Sequence, residues 1–117
     1  MTLLLATALL AAAPLSEDRA IDLVAKAMRQ VRPGQPLACL AFETEESSRR
    51  QFGIAVREKH GGRCGGDPAV MPVTERFRVA RSPVRLWRWD VVGDAYHPCR
   101  LTAARRPSCP RLSYEKH

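Results

Sequence analysis

The stretch from Glu58 to Pro68, Glu-Lys-His-Gly-Gly-Arg-Cys-Gly-Gly-Asp-Pro, constrains this chain more than any other. Its glycine pairs at 61–62 and 65–66 ask for backbone angles that other residues reach only with strain. Asp67-Pro68 then forces an extended or turn conformation. A loop of this kind has a specified shape, and the elements on either side must meet at its ends.

Those elements can be read in order. Ser16 is the expected N-cap, followed by Glu17 and Asp18 where the helix dipole favours acids. Ile21, Val24, Met28 and Val31 recur at helical spacing, widened by Ala20, Leu23 and Ala27, and Pro33-Gly34 ends the pattern. Leu37 to Phe42 reads as a strand, and Glu43 to Arg50 as a polar connection. Phe52, Ile54 and Val56 alternate with Gly53, Ala55 and Arg57; Val73, Glu75, Phe77 and Val79 alternate with Thr74, Arg76 and Arg78. Ser82-Pro83 makes a turn. Trp87, Trp89 and Val91 then alternate with Arg88 and Asp90 in a last strand that Gly93-Asp94 closes. The expectation is an α+β fold: one N-terminal amphipathic helix on a four-stranded antiparallel sheet, stabilised by disulfides. At 117 residues there is room for one domain, expected over 16–97.

Residues 2–13 form an apolar run too short for a membrane span and suited to a secretory signal, with Ala11 and Ala13 in the A-x-A arrangement. No Lys or Arg precedes it, and a buried N-terminal helix is the competing reading. Export predicts a periplasmic or secreted protein with a signal peptide over 1–13. In that setting four cysteines mean disulfides, and the absence of C-x-x-C removes the usual zinc and thioredoxin spacings. Of the three possible pairings, Cys99 with Cys109 would close the Arg- and Pro-rich tail at 98–117. Cys39 would then meet Cys64 and tie the first strand to the glycine loop. The chain-entropy model puts such a loop at about 3 kcal/mol.

The run Val56-Arg57-Glu58-Lys59-His60, then Cys64-Gly65-Gly66-Asp67-Pro68, Pro72 and Arg76-Phe77-Arg78-Val79, resembles small secreted bacterial proteins with a Cys-Gly-Gly-Asp-Pro loop. The likeness covers about 37–97, including Cys39 and Leu86-Trp87. It implies a compact helix-plus-sheet domain of the PepSY-like kind, with the tail as an addition. It assigns no catalytic residue.

Four constellations bear on function. Glu58, His60, Asp67 and His97 could form a metal or acid–base site, the basis of a small hydrolase or metal-dependent enzyme. Asp67 could instead cap amides of its own loop, a purely structural role. The glycine amides could form an anion nest beside Lys59 and Arg63. Finally Arg57, Arg76, Arg78 and Arg88 are expected to share the outward sheet face, opposite Phe52, Ile54, Phe77 and the two tryptophans. The net charge of +7, carried mostly by arginine, suits binding of polyanions or carboxylates. Solvated arginines in an arginine-rich chain would look the same. With Trp87 and Trp89 assigned to the core, no stacking platform remains for specific nucleic-acid recognition. The sequence therefore points to an exported binding domain without a catalytic site or cofactor of its own, whose partner is an envelope protein or an anionic envelope polymer.

Overall fold

A computed structural model describes residues 13–115, so most of the expected export signal lies outside the described residues. Ser16 is the N-cap, its hydroxyl accepting from the Arg19 N–H at 3.3 Å. Helix α1 (Glu17–Val31) buries Ala20, Leu23, Val24, Ala27 and Met28 along one stripe. Pro33 disfavours helical angles at the residue before it, and Arg32 leaves the helix at φ −137°, ψ 66°.

Five strands follow: β1 (Leu40–Ser47), β2 (Gln51–Glu58), β3 (Val73–Arg81), β4 (Val84–Asp90) and β5 (Ala95–Pro98). They pair antiparallel in the order β1-β2-β3-β4-β5, each with its neighbour in sequence. The α+β class with one helix on an antiparallel sheet is as expected; the sheet has five strands rather than four. The fifth was missed because Ala-Tyr-His-Pro has no apolar alternation. Leu37–Cys39 forms a 3-10 turn, and β1 runs through the polar stretch expected to be a connection. Ladder bonds to β2 and outward carboxylates allow this, so the turn shrinks to Ser48–Arg50, where the Ser48 hydroxyl accepts the Arg50 and Gln51 N–H groups at 3.2 and 3.1 Å.

The core lies between α1 and one sheet face, where Leu40, Phe52, Ile54, Val56, Phe77, Val79 and Leu86 are buried with the helix stripe. Leu15 joins it: its N–H donates to the Arg81 carbonyl at 3.1 Å, and the Arg81 Nε donates back to the Leu15 carbonyl. The segment after Pro98 is built into the same fold. Strands β6 (Arg100–Leu101) and β7 (Pro107–Ser108) pair antiparallel, and Cys109 and Leu112 are buried. The Gln30 amide at the end of α1 holds this segment, accepting from the Cys109 N–H at 2.7 Å and donating to its carbonyl at 3.3 Å. The disulfides are Cys39–Cys64 and Cys99–Cys109, with Cα atoms 5.5 and 4.1 Å apart. Such bonds belong to an oxidising compartment. No helix among the described residues is long and apolar enough to cross a membrane.

One expectation about β4 is reversed. The turn at Ser82-Pro83 sets Arg81 opposite Val84, Val79 opposite Leu86 and Phe77 opposite Arg88. Directly paired residues share a face, so Leu86, Arg88 and Asp90 point to the core while Arg85, Trp87 and Trp89 point away from it. Arg88 is not an outward arginine. Its side chain is 1% exposed, and Glu75 on the core face of β3 receives two of its hydrogen bonds.

Candidate binding surface

The sheet face opposite α1 is lined, from β1 to β5, by carboxylates, then arginines, then aromatic rings. Glu43, Glu45 and Glu46 stand on β1, Arg57 on β2, Arg76 and Arg78 on β3, Arg85, Trp87 and Trp89 on β4, and Tyr96 on β5. The Arg57 Nε lies 2.8 Å from Glu43 Oε2 and the Arg76 Nε 3.0 Å from Glu45 Oε1. The Glu45 hydrogen bond raises the Arg76 pKa against a smaller opposing effect of burial. Arg78 has no carboxylate partner among the described residues; its guanidinium carbon lies 4.2 Å from the Tyr96 ring centre. Because β4 lies between β3 and β5, the Arg78 and Tyr96 side chains meet over β4, and Arg78 faces Trp87 directly across the β3–β4 pair. Trp89 faces Tyr96, with ring centres 4.9 Å apart and planes tilted by 56°. The result is a basic strip with three aromatic rings, each only partly buried. No element of secondary structure covers it among the described residues.

The glycine loop forms a second recess of about 290 Å³, bordered by Gln35, Glu58, Lys59, His60, Arg63 and Gly65. All four glycines, 61, 62, 65 and 66, have positive φ, as their pairing suggested. Gly66 is also required by contact: a Cβ there would lie 2.8 Å from the His60 ring. His60 Nε2 sits 3.1 Å from Glu58 Oε2, a hydrogen bond that lowers the Glu58 pKa against an opposing desolvation by burial. The Gly61, Cys64 and Gly65 amides donate to carbonyls inside the loop, at 2.6, 3.1 and 3.4 Å, which turns them away from a ligand. The exposed Asp67 carboxylate accepts the Ala69 N–H at 2.9 Å, a local turn contact.

Glu58, His60, Asp67 and His97 are not joined into one site. His97 Nε2 lies 3.3 Å from the Asp90 carboxylate, beyond which Asp90 accepts the Val92 and Gly93 amides in the β4–β5 turn. Those amides, Gly93 first, keep the Asp90 carboxyl below its ordinary pKa. No group of three or more His, Cys, Asp or Glu side chains is placed to hold a metal among the described residues.

The third polar assembly is buried and was not foreseen. Arg88 donates to both oxygens of Glu75 and both of Glu115, and to the Pro110 carbonyl at 3.1 Å. Arg32 adds a second cation, 3.3 Å from Glu75. Burial alone would lower the Arg88 pKa, but the two carboxylates raise it further than burial lowers it. This cluster anchors the C-terminal segment to the sheet. The sequence held one signal for it: Glu75 shares the parity of Phe77 and Val79, and a carboxylate in that row needs a buried partner. Tyr96 left no such trace, because the sequence does not reveal the edge strand that presents it. No protein-family model, curated protein or solved structure matches the chain.

Proposed function

We propose that this chain is an exported binding domain, periplasmic or secreted, that recognises an anionic partner through the open sheet face and performs no chemistry of its own. The observation that carries this reading is the joint placement of Arg76, Arg78 and Arg85 with Trp87, Trp89 and Tyr96 on the face that α1 leaves uncovered. Guanidiniums meet carboxylate, phosphate or sulfate with paired donors, and aromatic rings add area that is cheap to order. The two disulfides and the net charge of +7 fit a small protein working among anionic polymers outside the cytoplasm.

Retention on immobilised heparin and polyphosphate at low salt tests this. Wild-type protein should be held and should elute at higher salt than the Arg76→Ala/Arg78→Ala/Arg85→Ala variant. Arg105→Ala/Arg106→Ala, in the loop between β6 and β7, should elute nearly as wild type does. Equal elution of wild type and the sheet-face variant would overturn the reading, as would failure of wild type to bind any polyanion.

A further inference from the structure

We infer that the ligand class taken by the open sheet face is single-stranded nucleic acid, an inference that rests on the binding role proposed above for that face. With Trp87 and Trp89 in the core, the sheet would have no stacking platform for bases. Both tryptophans lie on the opposite face, beside Arg78 and Tyr96.

The balance of charge and rings decides between polyanions. Of the four guanidiniums on the face, Arg57 and Arg76 are matched to Glu43 and Glu45, while Arg78, stacked on Tyr96, and Arg85 have no carboxylate partner among the described residues; Glu46, opposite Gly53, adds a third carboxylate to the face. A ligand held by charge alone, such as a sulfated polymer, gains little from two cations in water. A polymer that alternates a flat π-ring with a single negative charge uses both halves of the surface. Trp87 and Trp89 are alternate residues of one strand, so their Cα atoms stand on the order of 7 Å apart, with Tyr96 beside the second. The Arg78 guanidinium, lying across β4, offers a further plane for stacking. Unpaired bases stack on such platforms with little regard to sequence. A duplex hides those ring faces, so the surface selects single strands.

The test is a fluorescence titration of labelled oligo-dT with the intact oxidised protein, run beside a duplex of equal length and beside heparin. Single-stranded oligo-dT should bind, with a salt slope near −1.4 if two phosphates are neutralised. Trp87→Ala and Trp89→Ala should each weaken oligo-dT binding by roughly 5- to 100-fold, the range for losing one base–aromatic stack. Heparin binding should change less than twofold. Trp89→Phe, which keeps a ring, should retain most of the affinity and controls for a folding defect in the alanine variant. Heparin binding without oligo-dT binding, or oligo-dT binding indifferent to both tryptophans, would overturn this inference and leave the anionic-partner reading in place. Equal affinity for duplex would overturn it as well. Binding of neither polymer would remove both.

Discussion

Arg88 and Glu75 meet on the helix-facing side of the sheet, their side chains each 1% exposed and joined by two hydrogen bonds. A charged pair this deep contributes to stability only because both members are matched: Arg88 also bonds Glu115 and Pro110, and Glu75 also receives Arg32. The pair also reports the direction of every β4 side chain, because a shift of one residue would bring Trp87 to the core and put Arg88 in solvent.

Removing one partner should therefore be costly. Arg88→Ala is expected to lose about 3–5 kcal/mol, the range for an orphaned buried charge. Arg78→Ala, on the opposite face, should cost less than about 1 kcal/mol. Denaturant titration of the two variants checks this, and equal losses would contradict the register.

The β4 parity was legible before the structure, although the sequence reading chose the other option. Two alternations compete in Val84–Asp90, one of Val84, Leu86, Arg88 and Asp90 and one of Arg85, Trp87 and Trp89. Aromatic content favours the second as core. Counting back across the short Ser82-Pro83 turn favours the first, since it sets Leu86 against Val79. The turn decides, because a short hairpin connection fixes the register of the strands it joins. By contrast α1, β2 and β3 were readable from their periodicity, since each buries a single apolar face. The glycine loop was readable in shape, through its paired glycines. Its recess was not, because that depends on His60 turning toward Glu58 and Gly66, a matter of side-chain rotamer.

Acid should loosen the C-terminal segment. The Arg88 hydrogen bond holds the Glu115 carboxyl below its ordinary value of 4.5, with burial as a smaller opposing effect. A depressed carboxylate pKa gives stability that is complete above the unfolded value and is lost as pH falls through the folded one. The Leu112 N–H, which donates to Glu115 Oε1 at 2.9 Å, should lose protection relative to its intrinsic exchange rate below about pH 4.5 while core amides of β2 and β3 keep theirs. Glu115→Gln should flatten that dependence.

The glycine loop should respond to shape more than to charge. Gly66 has φ +74° and lies against the His60 ring, so Gly66→Ala should cost about 1–3 kcal/mol. Asp67→Ala removes one exposed turn contact and should cost about 0.5–1 kcal/mol. Thermal melts rank the two; a larger loss at Asp67 would assign the carboxylate a role beyond its contact with Ala69.

The Cys39–Cys64 bond should carry much of what holds that loop to the start of β1. Its sequence separation is 25 residues, for which the chain-entropy model gives about 3 kcal/mol. The Cys39→Ala/Cys64→Ala variant should lose that amount in denaturant titration. Non-reducing peptide mapping of wild type should return Cys39–Cys64 and Cys99–Cys109 and no crossed pair.

A ligand should bind on the uncovered face of the sheet and not in the glycine-loop recess. Backbone amide NMR of the oxidised protein, titrated with oligo-dT and with a short heparin fragment, tests it most directly. Shifts should concentrate at Arg76, Arg78, Arg85, Trp87, Trp89 and Tyr96, with the tryptophan indole N–H signals moving alongside them. Shifts gathered at Lys59, His60 and Arg63, with β3, β4 and β5 unmoved, would contradict it.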